Sequence, residues 1–243
     1  MTLQFRKAER AEAKLRLALI SPSGFGKTYS ALRIAKGLGG KVAMLDTENG
    51  SGDLFAEDFE YDILTMNAPY DPKKYIQAIE SAEEAGYNIL IIDSLTHAYS
   101  GSGGILSKHS AIAEKTGNSF NAWGKVMPLQ NALMEKILAS KLHIIATIRS
   151  KTDWIVENGK PKKVGLAPDQ KTNIDYEFTC VLELDKDHNA HCSKDRTGLF
   201  DGQIMEATEN IGKILNDWLH GKKITSNEPA IQHAEGSERG TKK

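Results

Sequence analysis

Short apolar runs alternate with amphipathic stretches along most of this chain. Residues 15–20 (LRLALI) form the first apolar run, which ends at Ser21-Pro22-Ser23-Gly24. A helical pattern follows Gly26 through Leu38 and stops at Gly39-Gly40. Residues 42–45 (VAML) end in Asp46, and residues 63–66 predict another short strand. Asp71-Pro72 opens a helix as N-cap and first-turn proline, with Tyr75, Ile76 and Ile79 on one face, and Gly86 ends it. Residues 89–92 run directly into Asp93. Short buried strands separated by helices predict an α/β fold: a mostly parallel central sheet flanked by helices.

The second half keeps the pattern less cleanly. Residues 100–121 are rich in Gly, Ser, Lys and Asn and predict a loop with at most one helix. Residues 122–139 are amphipathic, with Val126, Leu129, Leu133, Ile137 and Leu138 spaced for one face and Pro128 expected in the first turns. Residues 142–148 predict a strand. Residues 150–172 hold five lysines and three acids with little periodicity, which predicts a long functional or mobile loop. Residues 178–184 and 190–193 predict a hairpin around 185–189, and Ile211, Ile214, Leu215, Trp218 and Leu219 a closing helix. The division expected is an N-terminal arm (1–14), a core (15–220) and a polar, disordered tail (221–243). No internal repeat is present.

Composition narrows the function classes. A chain of 243 residues with 40% hydrophobic and 26% charged residues suits a globular protein with a sizeable core. No apolar run approaches the length of a membrane span, and the charged N-terminus does not read as an export signal; a cytoplasmic protein without a membrane partner is expected. Cys180 and Cys192 are too few for a disulfide framework. Lys+Arg 31 against Asp+Glu 32 gives a net charge of −1, so any nucleic-acid surface must be a local patch.

The strongest chemical signal is Ser21-Pro22-Ser23-Gly24-Phe25-Gly26-Lys27-Thr28, between a strand and a helix and followed by Tyr29. A phosphate chain needs inward-pointing backbone N–H groups and the positive end of a helix, and Gly24 and Gly26 let the backbone curl closely around it. Lys27 suits the β/γ oxygens and the Thr28 hydroxyl suits Mg²⁺. The usual first glycine of this motif is Ser21 here, which the nest tolerates if its φ stays negative. Asp93, after NILII, suits the second Mg²⁺ position; Glu48, after Asp46-Thr47, suits a general base toward water. Both follow strands, whose carboxyl ends carry ligands in such sheets.

These residues, with SPSGFGKT, LDTENG, ILIIDS, AWGKV, IIATIRSK, KVGLAP and SKDRTGLF in that order, resemble the phage-encoded RecA-like P-loop ATPases of single-strand annealing recombination, reduced to the recombinase core. The resemblance spans roughly residues 5–220. It implies a RecA-like core that takes ATP and Mg²⁺, with Glu48 as catalytic glutamate, Asp93 as Mg²⁺ aspartate and Arg149 near the γ-phosphate. Thr147 stands where RecA has glutamine. Lys194 and Arg196 resemble a Lys-x-Arg pair that acts on the neighbouring subunit's γ-phosphate. Phe5-Arg-Lys-Ala8 resembles the Phe-x-x-Ala polymerisation motif of recombinases, implying a homo-oligomer, ring or filament. The two DNA-facing loops of the family would fall near 100–121 and 151–172, the second offering Lys151, Trp154, Lys160, Lys162, Lys163 and Lys171 to single-stranded DNA. A single-strand-DNA-binding protein is a further partner the resemblance implies.

Weaker signals stay outside this scheme. His188, His191 and Cys192 lack a fourth ligand spaced for zinc; His97 and His109 read as polar loop residues, and Trp123 as helix packing. Two other functions share the phosphate loop: a small-molecule kinase, for which arginines beyond residue 33 (Arg149, Arg196 and Arg239) are few, and an annealing scaffold with a vestigial ATPase, which Ser21 and Thr147 favour.

Overall fold

The computed structural model describes residues 5, 7–10, 13–157 and 160–222, with the backbone alone across 152–166. The expected disordered tail lies outside the described residues from 223 onward.

Three of the apolar runs become strands buried on both faces, whereas β3 (Asp62–Thr65), at the sheet edge, is largely exposed. β1 (Arg16–Ser21), β2 (Val42–Asp46) and β4 (Ile89–Asp93) are buried at every position. Alternation along β1 shows how the two faces are used. Leu17 and Leu19 pack with α1 (Lys27–Leu38) and α6 (Glu209–Leu219), whereas Ala18 and Ile20 pack with Tyr75 and Ile79 of α2 (Pro72–Glu84) and Leu133 and Ile137 of α5 (Ser119–Ala139). Asp71 caps α2 by accepting from the Lys73 N–H at 3.0 Å, with Pro72 in the first turn as expected.

With β3 (Asp62–Thr65), β5 (His143–Glu157), β7 (Cys180–Leu184), β8 (Asn189–Asp195) and β9 (Ile204–Glu206), the strand order is β3-β2-β4-β5-β1-β7-β8-β9. The strands from β3 to β7 run parallel; β8 and β9 continue antiparallel, so the hairpin around 185–189 forms as expected. This is the expected α/β architecture. Gly37 of α1 and Gly212 of α6 face each other's backbones, where a Cβ at either would collide, so the two helices pack closely.

Three expectations are corrected. Residues 100–121 are largely helical: α3 (Thr96–Ser100) leads to α4 (Ile105–Thr116) and the start of α5. α4 buries only Ile105, so no apolar stripe marked it. α5 starts at Ser119, capped by Asn118, which leaves Pro128 in the helix interior rather than its first turns. The long loop is a β-hairpin: β5 runs on to Glu157 and pairs antiparallel with β6 (Lys160–Pro168). Backbone pairing makes this hairpin, and its lysine-rich sequence has no apolar alternation to announce it.

Buried Arg16 joins β1 to the end of α5. Its guanidinium donates to the carbonyls of Leu15, Leu138, Ser140 and Leu142, and burial lowers its pKa to about 10. Two of these bonds, to Leu138 and Ser140, satisfy carbonyls at the C-terminus of α5.

Candidate nucleotide site

Three parallel strands end at one edge, β1 at Ser21, β2 at Asp46 and β4 at Asp93, and β5 crosses the same edge at Thr147 and Arg149. They open on a cleft of about 350 Å³ lined by Gly24, Gly26, Lys27, Thr28, Glu48 and Asp93, with Leu54, Phe55 and Arg149 at its walls.

The phosphate loop has the expected form. Gly24 and Gly26 both take φ 83°, the left-handed region open to glycine. Ser21 closes β1 as a strand residue, so it fits the first position without left-handed backbone. Its carbonyl and that of Pro22 accept from Lys27 Nζ at 3.0 and 2.8 Å, and its Oγ lies 3.3 Å from the same nitrogen. A phosphate oxygen in the cradle competes with these carbonyls for the ammonium. Burial lowers the Lys27 pKa, partly offset by the negative charges of Asp93 and Glu48. Ser21, Pro22 and Phe25 form the back of the loop, whereas Ser23, Gly24, Gly26, Lys27, Thr28 and Tyr29 face the cleft. The Tyr29 ring packs on Phe55 and Phe59, with centroids 5.6 and 5.3 Å away.

Thr28 and Asp93 meet as the sequence implies: Thr28 Oγ1 donates to Asp93 Oδ2 at 2.6 Å. Asp93 is 2% exposed, and burial raises its pKa against the two threonine hydrogen bonds that favour its charge. The second hydroxyl is that of Thr147, which donates to Asp93 Oδ1. Thr147 thus helps to orient the acidic residue. The half-buried Thr28 hydroxyl beside the buried Asp93 carboxylate is a pair of hard oxygens of the kind that would hold Mg²⁺. Among the described residues no group of three or more His, Cys, Asp or Glu forms a separate metal cluster. His188 and His191 go elsewhere, to Phe25 and Asp185.

Glu48 is held by its own chain neighbours and by β5. Asp46 Oδ1 accepts the Glu48 N–H at 2.6 Å, which aims the side chain into the cleft. Ser94 Oγ donates to Glu48 Oε1 at 2.9 Å, and Arg149 binds both carboxylate oxygens. Beneath them, buried Thr47 accepts from the Ser94 N–H and lies 2.8 Å from His97 Nδ1. His97 stacks on Tyr70, and burial lowers its pKa. It belongs to a helix under the site, not to a loop, and its place appears only once β2 and β4 are side by side. Leu54, Phe55 and Ser94 were likewise unmarked in sequence, because an ordinary apolar or hydroxyl residue carries no spacing signal.

The remaining predicted residues lie apart from the cleft. Lys194 Nζ donates to the Asp175 carbonyl at 2.8 Å and Arg196 to that of Tyr176 at 2.7 Å, so both reach one turn, 174–177. Lys151 pairs with Asp169 at 3.0 Å. Trp154, Lys160, Lys162 and Lys163 hold backbone positions on the β5–β6 hairpin, Trp154 opposite Lys163, and their side chains lie outside the described residues. Trp123 stacks on His109 at 4.1 Å between α5 and α4. Phe5 is fully exposed, while Arg10 stacks on Trp218 and donates to its carbonyl, docking the arm on α6. No helix among the described residues is long and apolar enough to cross a membrane.

A family model described as an AAA domain, AAA_24, matches residues 13–214, which takes in the phosphate loop, the site edge of β1, β2, β4 and β5, and the β5–β6 hairpin. No curated protein matches the chain. By this match and this geometry, the chain belongs to the AAA_24 family of AAA domains, a P-loop ATPase domain, with its candidate nucleotide site at the carboxyl edge of the sheet.

Proposed function

We propose that the protein binds and hydrolyses ATP in this cleft with Mg²⁺, assembles into a homo-oligomer, and binds single-stranded DNA to promote strand annealing in phage recombination. The observation that carries the reading is the convergence at one sheet edge of Lys27, the Thr28–Asp93 pair and Glu48. Glu48 takes a proton from water as the water oxygen bonds to the γ-phosphorus, and the bridging P–O bond breaks to release ADP. Lys27 offsets the charge on the β/γ oxygens, and Arg149, on the cleft wall, adds a second cation. Mg²⁺, when held by Thr28 and Asp93, neutralises charge on the phosphate oxygens.

The DNA reading is supported by the hairpin grown from Arg149: Lys151, Trp154, Lys160, Lys162 and Lys163 follow it on β5 and β6. Lysines neutralise phosphates and an aromatic residue stacks on a base. The exposed Phe5 supports the oligomer, since an apolar side chain left in solvent gains by entering a neighbour's pocket.

Measuring ATP hydrolysis with and without single-stranded DNA tests the reading. A DNA-stimulated rate is expected. Transfer of phosphate to a small acceptor would identify a kinase instead, and DNA binding without turnover an annealing scaffold.

A further inference from the structure

The turn between β7 and β8 reaches the back of the phosphate loop through the His188 side chain. Asp185 builds that turn. Its Oδ1 accepts the N–H groups of Asp187 and Asn189, each at 2.9 Å, and its Oδ2 faces Asn189 Nδ2 at 3.2 Å and His191 Nε2 at 3.0 Å. The Asp185 carbonyl accepts the His188 N–H at 3.2 Å. The result is a His188 backbone at φ 65°, a left-handed conformation that a residue with a side chain keeps only when its surroundings fix it.

From that position the imidazole lies on Gly26. A Cβ at Gly26 would stand 2.8 Å from His188 Nδ1 and 3.3 Å from Cε1, so the ring occupies the space the missing side chain leaves. Nδ1 is 3.2 Å from the Phe25 carbonyl oxygen. A carbonyl only accepts, so this contact is a hydrogen bond when Nδ1 carries the ring proton.

The trans peptide is planar, with C=O and N–H pointing to opposite sides. With the Phe25 oxygen held on the outside by His188, the Gly26 N–H of the same peptide is turned to the inside, toward the cleft that Gly26 and Lys27 line. That is the orientation a phosphate cradle needs. Left-handed glycines at 24 and 26 give the loop its shape, yet they also make its peptide planes cheap to rotate. Lys27 restrains the carbonyls of Ser21 and Pro22 at the start of the loop, and His188 restrains that of Phe25 at its end.

We propose that His188 is a positioning residue for the nucleotide: it locks the Phe25–Gly26 peptide with its N–H toward the phosphates. The inference rests on the nucleotide reading of the cleft and assigns the β7–β8 turn a part in it.

Two substitutions separate donor from backbone. His188→Gly accepts the left-handed φ and removes the ring; His188→Asn tolerates that φ and keeps a side-chain N–H donor near the position of Nδ1. Titration with MgADP by calorimetry, beside thermal unfolding without nucleotide, gives the readout. His188→Gly should unfold no lower than the parent chain yet bind MgADP about three- to tenfold more weakly, the scale of one lost hydrogen bond. His188→Asn should restore the parent affinity. Equal binding by His188→Gly and the parent overturns the proposal, as does a His188→Asn that binds no better than His188→Gly. A parent chain that does not bind MgADP overturns both the proposal and the nucleotide reading beneath it.

Discussion

Arg149 and Glu48 are joined across the cleft: Arg149 Nε donates to Glu48 Oε1 at 2.9 Å, and its terminal NH2 nitrogen binds Oε2. Ser94 Oγ shares Oε1, so both carboxylate oxygens are engaged. Among the described residues Oε2 takes a single donor, Arg149, and keeps a second lone pair with which Glu48 can accept a proton from water. Arg149 is also fixed at the root of the β5–β6 hairpin, where its N–H donates to Thr96 Oγ1 and its carbonyl accepts from Asp169. The acidic residue assigned as base and the hairpin assigned to DNA thus meet in one side chain.

Glu48→Gln removes the base while keeping size and an acceptor for Arg149. Nucleotide binding should persist and hydrolysis should slow by roughly 10²-fold or more. Single-turnover hydrolysis at the parent rate would take Glu48 out of this role.

Replacing Lys160, Lys162 and Lys163 together with alanine should weaken single-stranded-DNA binding and flatten its salt dependence. Each lost phosphate contact lowers the slope of log affinity against log salt by about 0.7. The check is affinity measured across a salt series; an unchanged slope means the hairpin does not touch the backbone.

Lys194 and Arg196 reach one turn of their own chain and do not line its cleft. Action on a neighbour's nucleotide is the expectation for them. Mixing Arg196→Ala with Lys27→Ala subunits should recover part of the hydrolysis each lacks alone, because one mixed interface keeps both groups. No recovery at any ratio counts against action in trans.

His143 makes stability depend on pH. Its Nδ1 accepts the Leu15 N–H at 3.1 Å, and burial, with the nearby positive charges of Lys14 and Arg16, depresses its pKa from 6.5 to about 4. Between those values the unfolded chain binds the extra proton, so stability falls as pH drops from 6.5 toward 4 and loses nothing more from this group below. The shift corresponds to roughly 3 kcal/mol. Denaturant unfolding of the parent and of His143→Asn at pH 7.5 and pH 4.5 should show the parent losing more; equal losses would remove His143 as the cause.

Phe5 is fully exposed in its own chain, and Arg10 of the described arm docks on α6. Phe5→Glu should therefore leave the unfolding temperature unchanged and shift the assembly to smaller species, measured by light scattering after size exclusion. A lower unfolding temperature with the same size distribution would place Phe5 as a cover of its own core.

Sequence alone determined what is contiguous. The strand, loop, lysine and helix of the phosphate site lie within Leu15 to Leu38, so their chemistry and spacing could be read directly, as could the acids that end β2 and β4. Buried parallel strands announce themselves because both faces must be apolar. Tertiary structure decided whatever depends on backbone pairing or on distant partners. The β5–β6 hairpin is held by its ladder, which any polar sequence can make, and α4 buries Ile105 alone. Thr147 reaches Asp93 across 54 residues, Arg149 reaches Glu48 across 101, and His188 reaches Phe25 across 163. A hydroxyl, a guanidinium or an imidazole leaves no period in the sequence to mark its partner. Those contacts exist because the strand order β2-β4-β5-β1-β7 sets these strands side by side and brings their ends to one edge.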